Sequence, residues 1–347
     1  MNKKERFFAT LERRPVDYPA SWLGIPATRA MPALLAHFQV NDLAGLKQAI
    51  GDDVWPVELP YHSPFSDAIY MAFDFAKKGH LINEERTLNT PGCFEEITDP
   101  ARVADFDWPD PVPFISEAEC RAAVAAVPSD YVVMGVVWSA HFQDACAAFG
   151  METALMNMIA EPEVFRAVID RITAFYLKAN ERFYRATQGR LDAVLIGNDF
   201  GSQQGLMLSR DLIREFVFPG TRALVEQAKA HGLKVMHHSC GAIRELIPDL
   251  TAMGVDAIHP IQALAAGMDA EGLAREFRGQ ASFCGGVDAQ NLLVNGTPDA
   301  VRRRVRELKA LFPTGLVLSP SHEAILPDIP PANVQALFEA VRETASA

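Results

Sequence analysis

From residue 116 onward, short apolar runs alternate with amphipathic stretches. Tyr131 to Val137, Ala193 to Gly197, Lys234 to His237, Val255 to Pro260, Ala281 to Gly285 and Gly315 to Ser319 are each bounded by turn residues. Such runs, apolar on both faces, are the pattern of strands in a parallel sheet covered on two sides. The segments between them carry helix signals at their ends. Helices are predicted over 117–127 with Ser116 as cap, 151–160, 162–188 with Pro162 in the first turn, 242–253, 269–278, and 298–312 with Thr297 as cap. A further helix starts from Ser209, is interrupted at Pro219 and runs over 220–231 to Gly232; the last begins at Pro331. Glycine closes several of these helices just before the next strand, as a left-handed cap residue does.

The first part of the chain is less regular. Residues 2–13 read as an amphipathic helix ended by Arg14-Pro15, Tyr18 to Leu23 as a first strand, and 30–38 and 42–50 as helices. Residues 55–113 are broken by prolines, and alternating pieces such as Cys93 to Thr98 suggest hairpin strands. This stretch is expected to be an irregular elaboration inserted after the first strand, with Tyr61 to Asp67 a polar loop. An unbroken series of seven or eight strand–helix units favours an α/β fold of the (β/α)8 TIM-barrel type, with an N-terminal elaboration, over a doubly wound sheet. No glycine-rich phosphate fingerprint follows the first strand, which removes the main argument for a dinucleotide fold. No linker with a shift in composition divides residues 1–347, so a single domain is expected.

Composition narrows the partners. With 347 residues, 49% of them hydrophobic, the chain can bury a large core, and its formal net charge of −12 disfavours nucleic acid or an anionic membrane surface. Five scattered cysteines form no disulfide framework, so a reducing, cytoplasmic setting is the default. The N-terminus lacks the apolar segment of a signal peptide, and the longest apolar run is too short to span a bilayer.

The unusual polar residues fall just past the predicted strand ends, where the active sites of such barrels lie. Asn198 and Asp199 follow one strand, His238 and Cys240 the next, then His259 and Gln262, then Cys284 and Asp288, and finally Ser321-His322-Glu323. His238 and Cys240 are two apart at the end of a strand, so their side chains leave on the same side. An imidazole and a thiolate on one face suit Zn²⁺. Cys284 would complete three soft ligands and leave the open position of a catalytic zinc; His322 is the competing third ligand. The bland alternative for each is a packed thiol or a core histidine. Asp199 and His322 are the candidate catalytic groups. Trp22, Asn198, Gln204, Gln262 and Asp288 are candidates for holding a small polar substrate.

These residues carry a resemblance. His237-His-Ser-Cys-Gly241, Ile247-Pro-Asp-Leu, Gly254-Val-Asp-Ala-Ile-His-Pro-Ile-Gln262, Gly285-Gly-Val-Asp288 and Ser319-Pro-Ser-His322, with Asp199-Phe-Gly-Ser-Gln203 and Gly150-Met-Glu152, resemble the uroporphyrinogen decarboxylase-like superfamily. The resemblance implies a (β/α)8 barrel. It admits two activities, tetrapyrrole decarboxylation and zinc-dependent methyl transfer to a corrinoid. The methyltransferase branch holds zinc with His-x-Cys and a later Cys; the position that is Cys in the last loop of some relatives is His322 here. Cys284 has a spacing from Cys240 similar to that of the aryl-ether demethylating relatives. The decarboxylases carry Arg-Gln-Ala-Gly-Arg-Tyr near the N-terminus, whereas the matching Trp22-Leu-Gly-Ile-Pro-Ala-Thr-Arg29 keeps only Arg29. The expectation is therefore a zinc methyltransferase acting on a small methylated donor, with the corrinoid on a separate partner protein, and room for a homodimer. A decarboxylase and a non-catalytic ligand-binding member are the alternatives.

Overall fold

The computed structural model describes residues 1–64, 66–69 and 90–343. Seven strands form one parallel sheet in sequential order: β1 Val54–Glu58, β2 Val132–Trp138, β3 Ala193–Gly197, β4 Lys234–His238, β5 Ala257–Ile261, β6 Phe283–Val287 and β7 Leu316–Pro320. Each neighbouring pair is parallel and joined through a helical crossover. Strands β3 to β7 are buried at nearly every residue, which is why they read as continuous apolar runs. The architecture is that of a curled, TIM-barrel-like α/β fold.

Two buried layers result. The larger core lies between the sheet and its helices, among them the long Pro162–Ala186, whose Phe165, Ile172, Tyr176 and Phe183 all face inward. The smaller lines the concave side of the sheet: Val54, Met134, Leu195, Met236, Ala257, Cys284 and Val317 alternate along their strands with residues of the outer core. Trp22 and Phe7 join this inner cluster from the N-terminal segment.

The strand expected at Tyr18 to Leu23 is reduced to one bridge, Ser21 with Leu318. Trp22 N–H donates to the Leu318 carbonyl at 3.0 Å, Leu318 N–H donates to Ala20 at 2.8 Å, and Asp53 N–H donates to Ser21 at 2.9 Å. Residues 20–22 thus contact both edge strands of the sheet. Their ladder stays short because Gly24 turns the chain away in a left-handed conformation (φ 86°), where a β-carbon would collide with the Glu323 carbonyl at 2.2 Å. The first regular strand is β1, all but its first residue inside the stretch read as irregular; Pro56 masked it. Residues 93–96 form turns rather than hairpin strands, with Phe94 packed on Phe149, Phe106 and Trp108. Residues 70–89 of the expected elaboration, and Phe65 of the polar loop, lie outside the described residues.

Other corrections are local. The helix expected over 242–253 is a 3₁₀ turn, Arg244–Leu246, followed by Ile247–Ala252 with Pro248 in its first turn. Pro219 does not break its helix; a wide π-turn at Ile213–Val217 precedes it, and Phe218–Ala230 continues with Pro219 near its start, where no N–H is missed. At the N-terminal end of β1, Lys47 Nζ pairs with Asp52 at 2.6 Å, both side chains being almost wholly buried, and Arg6 bridges Asp53 and Asp17. Among the described residues, no helix is long and apolar enough to cross a membrane.

Candidate functional site

The loops after β3 and β4 cross at two glycines. Gly241 has φ 84°, and a β-carbon there would stand 2.3 Å from the Gly201 backbone; one on Gly201 would meet Ala242 N at 2.6 Å. Only glycine permits this approach. Ala242 N–H donating to the Ser202 carbonyl at 2.8 Å secures the crossing. Its effect is to bring Asp199, at the start of one loop, onto Cys240 in the other.

Three potential ligand atoms converge there. His238 ends β4, with its Nε2 3.4 Å from Cys240 Sγ and 3.3 Å from Asp199 Oδ1. Asp199 Oδ1 also accepts the Cys240 N–H at 2.8 Å. Tetrahedral Zn²⁺ at ordinary bond lengths places nitrogen, oxygen and sulfur ligands about 3.3–3.6 Å apart, and both contacts of His238 Nε2 fall in that range. Cys240, His322 and Glu323 form a second group that shares the same thiol.

The other face of His238 is equally constrained. Its Nδ1 lies 3.0 Å from His259 Nδ1 and 3.8 Å from Glu323 Oε2. Two facing ring nitrogens need one proton between them, so one ring donates and the other accepts. Trp22 packs on His259 with ring centroids 5.2 Å apart, and Trp138 meets His238 edge-on at 5.4 Å. His259 Nε2, Trp22 Nε1 and Glu323 Oε2 are buried without a hydrogen-bond partner. Burial alone would lower the His238 pKa, but hydrogen bonding to Asp199 and Cys240 and the charge of Glu323 outweigh it and raise it to about 10. Burial likewise opposes ionisation of Asp199, yet His238 holds it down to about 2. Burial raises the Cys240 thiol above its ordinary value despite the neighbouring imidazole.

The remaining candidates separate. Cys284 is not brought to the other two soft ligands. Strand β6 begins at Phe283, two residues later than its apolar run suggests, so Cys284 sits low in the strand rather than at its end. It packs in the inner cluster beside the Ser319 hydroxyl, and burial pushes its thiol well up. The Asn198 side chain is buried, accepting the Phe142 N–H at 2.8 Å and facing His141. Asp288 accepts the N–H groups of Gln290, Asn291 and Leu292, a turn-capping role. Gln204 is exposed in the turn made by Ser202. Gln262 and His322 do reach the mouth, where with Ser321, Val294, Ile329 and others they line a cavity of ≈ 260 Å³.

Trp138 escaped the sequence reading, and His259 and Glu323 were placed at strand ends without a role. Trp138 lies at the end of an apolar run like any core residue, and only its left-handed backbone (φ 49°), shared by Ser139 (φ 56°), turns it onto His238. The pairing of His259 with His238 is a cross-strand contact, set by the register of β4 and β5. Glu323 was visible only as one polar residue of a strand-end triplet.

The family model described as uroporphyrinogen decarboxylase (URO-D) matches residues 2–344. The chain belongs to this family. Within URO-D, the chain is similar over almost its whole length to a uroporphyrinogen decarboxylase of Chlorobium phaeobacteroides, at 27% identity over 365 aligned positions (99% of this chain and 98% of that protein). It is also similar to a methylated-thiol–coenzyme M methyltransferase of Methanosarcina mazei, at 27% identity over 158 positions, 46% of this chain and 40% of that protein. A solved methyltransferase structure from Methanosarcina mazei superposes with a TM-score of 0.68 at 18% identity, covering 98% of both chains. That likeness is one of fold alone.

Proposed function

We propose that this URO-D protein is a zinc-dependent methyltransferase that moves a methyl group from a small methylated donor to a corrinoid carried by a separate protein. The observation that carries the reading is the Asp199–His238–Cys240 group, whose spacings of 3.3 and 3.4 Å suit one tetrahedral ion. His238 and Cys240 would hold the metal with Asp199 as third ligand. Bound Zn²⁺ would supply Lewis acidity toward the heteroatom of the substrate. His259 orients the His238 ring from behind by sharing one proton between the two Nδ1 atoms. Trp22 and Trp138 wall the two rings on their apolar sides and keep water from them. Glu323 places a carboxylate near both His238 and His322.

The decarboxylase reading draws its support from the full-length similarity to a uroporphyrinogen decarboxylase. Against it stands the N-terminal stretch Trp22 to Arg29, which keeps one arginine, Arg29, where the decarboxylases that the chain resembles carry two. A tetrapyrrole with eight carboxylates needs cations there, since an unpaired buried carboxylate costs several kcal/mol, on the order of 3–5. Zinc content of purified protein, followed by parallel measurement of coproporphyrinogen formation and of the corrinoid spectrum with methylated donors, tests the choice. The expected result is about one zinc per chain, corrinoid methylation lost on chelation, and no decarboxylation. Decarboxylation that survives chelation overturns the proposal.

A further inference from the structure

Strand β2 ends under strain. Its pairing with β3 slips by one residue between Val136 and Trp138, and Trp138 and Ser139 follow one another with left-handed backbones, φ 49° and 56°. The other such non-glycine residues among the described ones, Arg13 and Gln39, stand singly just past helix ends. Two hydrogen bonds close successive three-residue turns here. Ser139 N–H donates to the Val137 carbonyl at 2.5 Å, and His141 N–H to the Ser139 carbonyl at 2.8 Å. A turn of the first kind, left-handed at its centre, is rare, and its strain persists only where the surroundings impose it. A buried polar network does so. Asn180, wholly buried on the long helix Pro162–Ala186, donates from its side-chain amide to Ser139 Oγ at 3.0 Å. The Ser139 hydroxyl proton has the Val137 carbonyl and Asn180 Oδ1 in reach, both at 3.4 Å. His141 Nε2 donates to the Val217 carbonyl at 3.0 Å, so its Nδ1 accepts from the Asn198 amide at 3.3 Å. That Nδ1 also lies 3.2 Å from the Ser139 carbonyl, which the His141 N–H already holds.

We infer that Asn180 is a positioning residue: acting through Ser139, it holds the turn that sets the Trp138 indole edge-on against the His238 ring, 5.4 Å away. Two features favour this over plain packing. An apolar side chain of the same size would fill the space of Asn180, and a buried amide is costly unless it is paired. Asn180 spends its amide on the residue directly after Trp138, 41 positions earlier in the chain. The network also reaches both sides of His238. Asn198, which bonds His141, donates its own N–H to the His238 carbonyl at 3.1 Å and directly precedes Asp199. The bearing of this placement on metal binding rests on the function proposed above; the placement itself does not.

Fluorine NMR of the full chain, labelled with 5-fluorotryptophan and free of zinc, tests this. The four tryptophans give four resonances, and the one lost in Trp138→Phe belongs to Trp138. Asn180→Leu removes the amide at nearly constant volume, and Ser139→Ala removes its acceptor. In each, the Trp138 resonance should shift, and its displacement between H₂O and D₂O should grow as water reaches the indole. The resonances of Trp55 and Trp108 should stay in place. The double variant should move Trp138 no further than either single one, because both break the same bond. Thr187→Val is the control: it removes a buried hydroxyl bonded to the Phe183 carbonyl at the end of the same helix. It should lower the unfolding midpoint and leave Trp138 where it is. Circular dichroism identifies a variant that fails to fold, in which case the other single variant decides. An unmoved Trp138 resonance in folded Asn180→Leu or Ser139→Ala, additive shifts in the double variant, or an equal shift in Thr187→Val each overturns the inference. If the shifts appear as expected but the unsubstituted chain takes up no zinc, the proposed function fails and the positioning role stands.

Discussion

Asp199 and Cys240 are locked together from neighbouring loops: one carboxylate oxygen accepts the Cys240 N–H at 2.8 Å while facing His238 Nε2 at 3.3 Å. The carboxylate therefore fixes the backbone that carries the thiol as well as offering itself to an ion. Asp199→Asn keeps an oxygen for the N–H but loses the charge. Zinc affinity should fall about 10–100-fold, the range typical of altered metal-site partners, with little change in thermal midpoint. Competition titration against a chelator gives the affinity, and an unchanged value would remove Asp199 from the ligand set.

Metal binding should release protons. His238, raised to about 10, and Cys240, raised by burial, are both protonated at neutral pH, and both must lose that proton to bind zinc. The sign follows: apparent affinity should rise with pH through the neutral range and level off only as pH passes the His238 value of about 10. Calorimetry in buffers of different ionisation enthalpy should report about two protons released per zinc. Release of none would show that the pair is already deprotonated.

Cys284 offers the opposite test. Its thiol lies in the inner cluster, away from His238 and Cys240, so Cys284→Ser should leave zinc content unchanged. Replacing it with a hydroxyl in that apolar layer should cost about 1–3 kcal/mol, at the low end because the Ser319 hydroxyl is adjacent. Metal analysis together with denaturant unfolding separates the two effects. Loss of zinc without loss of stability would make Cys284 a ligand.

The buried pair at the start of β1 predicts a non-additive result. Lys47→Met strands the Asp52 carboxylate, and breaking a buried pair from one side costs about 3–5 kcal/mol. Adding Asp52→Asn should recover a large part of that loss, because the uncompensated charge is gone while an oxygen remains for the Leu23 N–H. A double-mutant cycle in urea measures the coupling. Additive losses would mean that the pair contributes nothing beyond packing.

The alternation of strands and helices was legible because buried parallel strands leave uninterrupted apolar runs and because caps such as Ser116 and Thr297 mark helix starts. His238 and Cys240 were legible for a local reason, two residues of separation at a strand end. Cys284 was misplaced because the small residues Ala281 and Ser282 are buried directly ahead of β6 and read as part of it, and a shift of two residues moves a side chain well down the sheet. Asn198 and Asp288 are polar residues at strand ends like Asp199, but their hydrogen-bond capacity goes to backbone groups of distant or following residues. β1 was hidden by Pro56, whose missing N–H is tolerated on a strand at the edge of the sheet.

The bonds of residues 20–22 to Leu318 have a consequence for how the molecule is made. Trp22 is translated early and presses on His259, yet the strand that seats it, β7, is translated almost three hundred residues later. Glu323, facing His238, comes later still. A nascent chain paused before this point can pair β1 through β6 in order, each with the strand just synthesised, but it holds an unfinished mouth and an uncovered sheet edge. Completion of the site therefore waits on the slow closure of a contact of very high sequence separation.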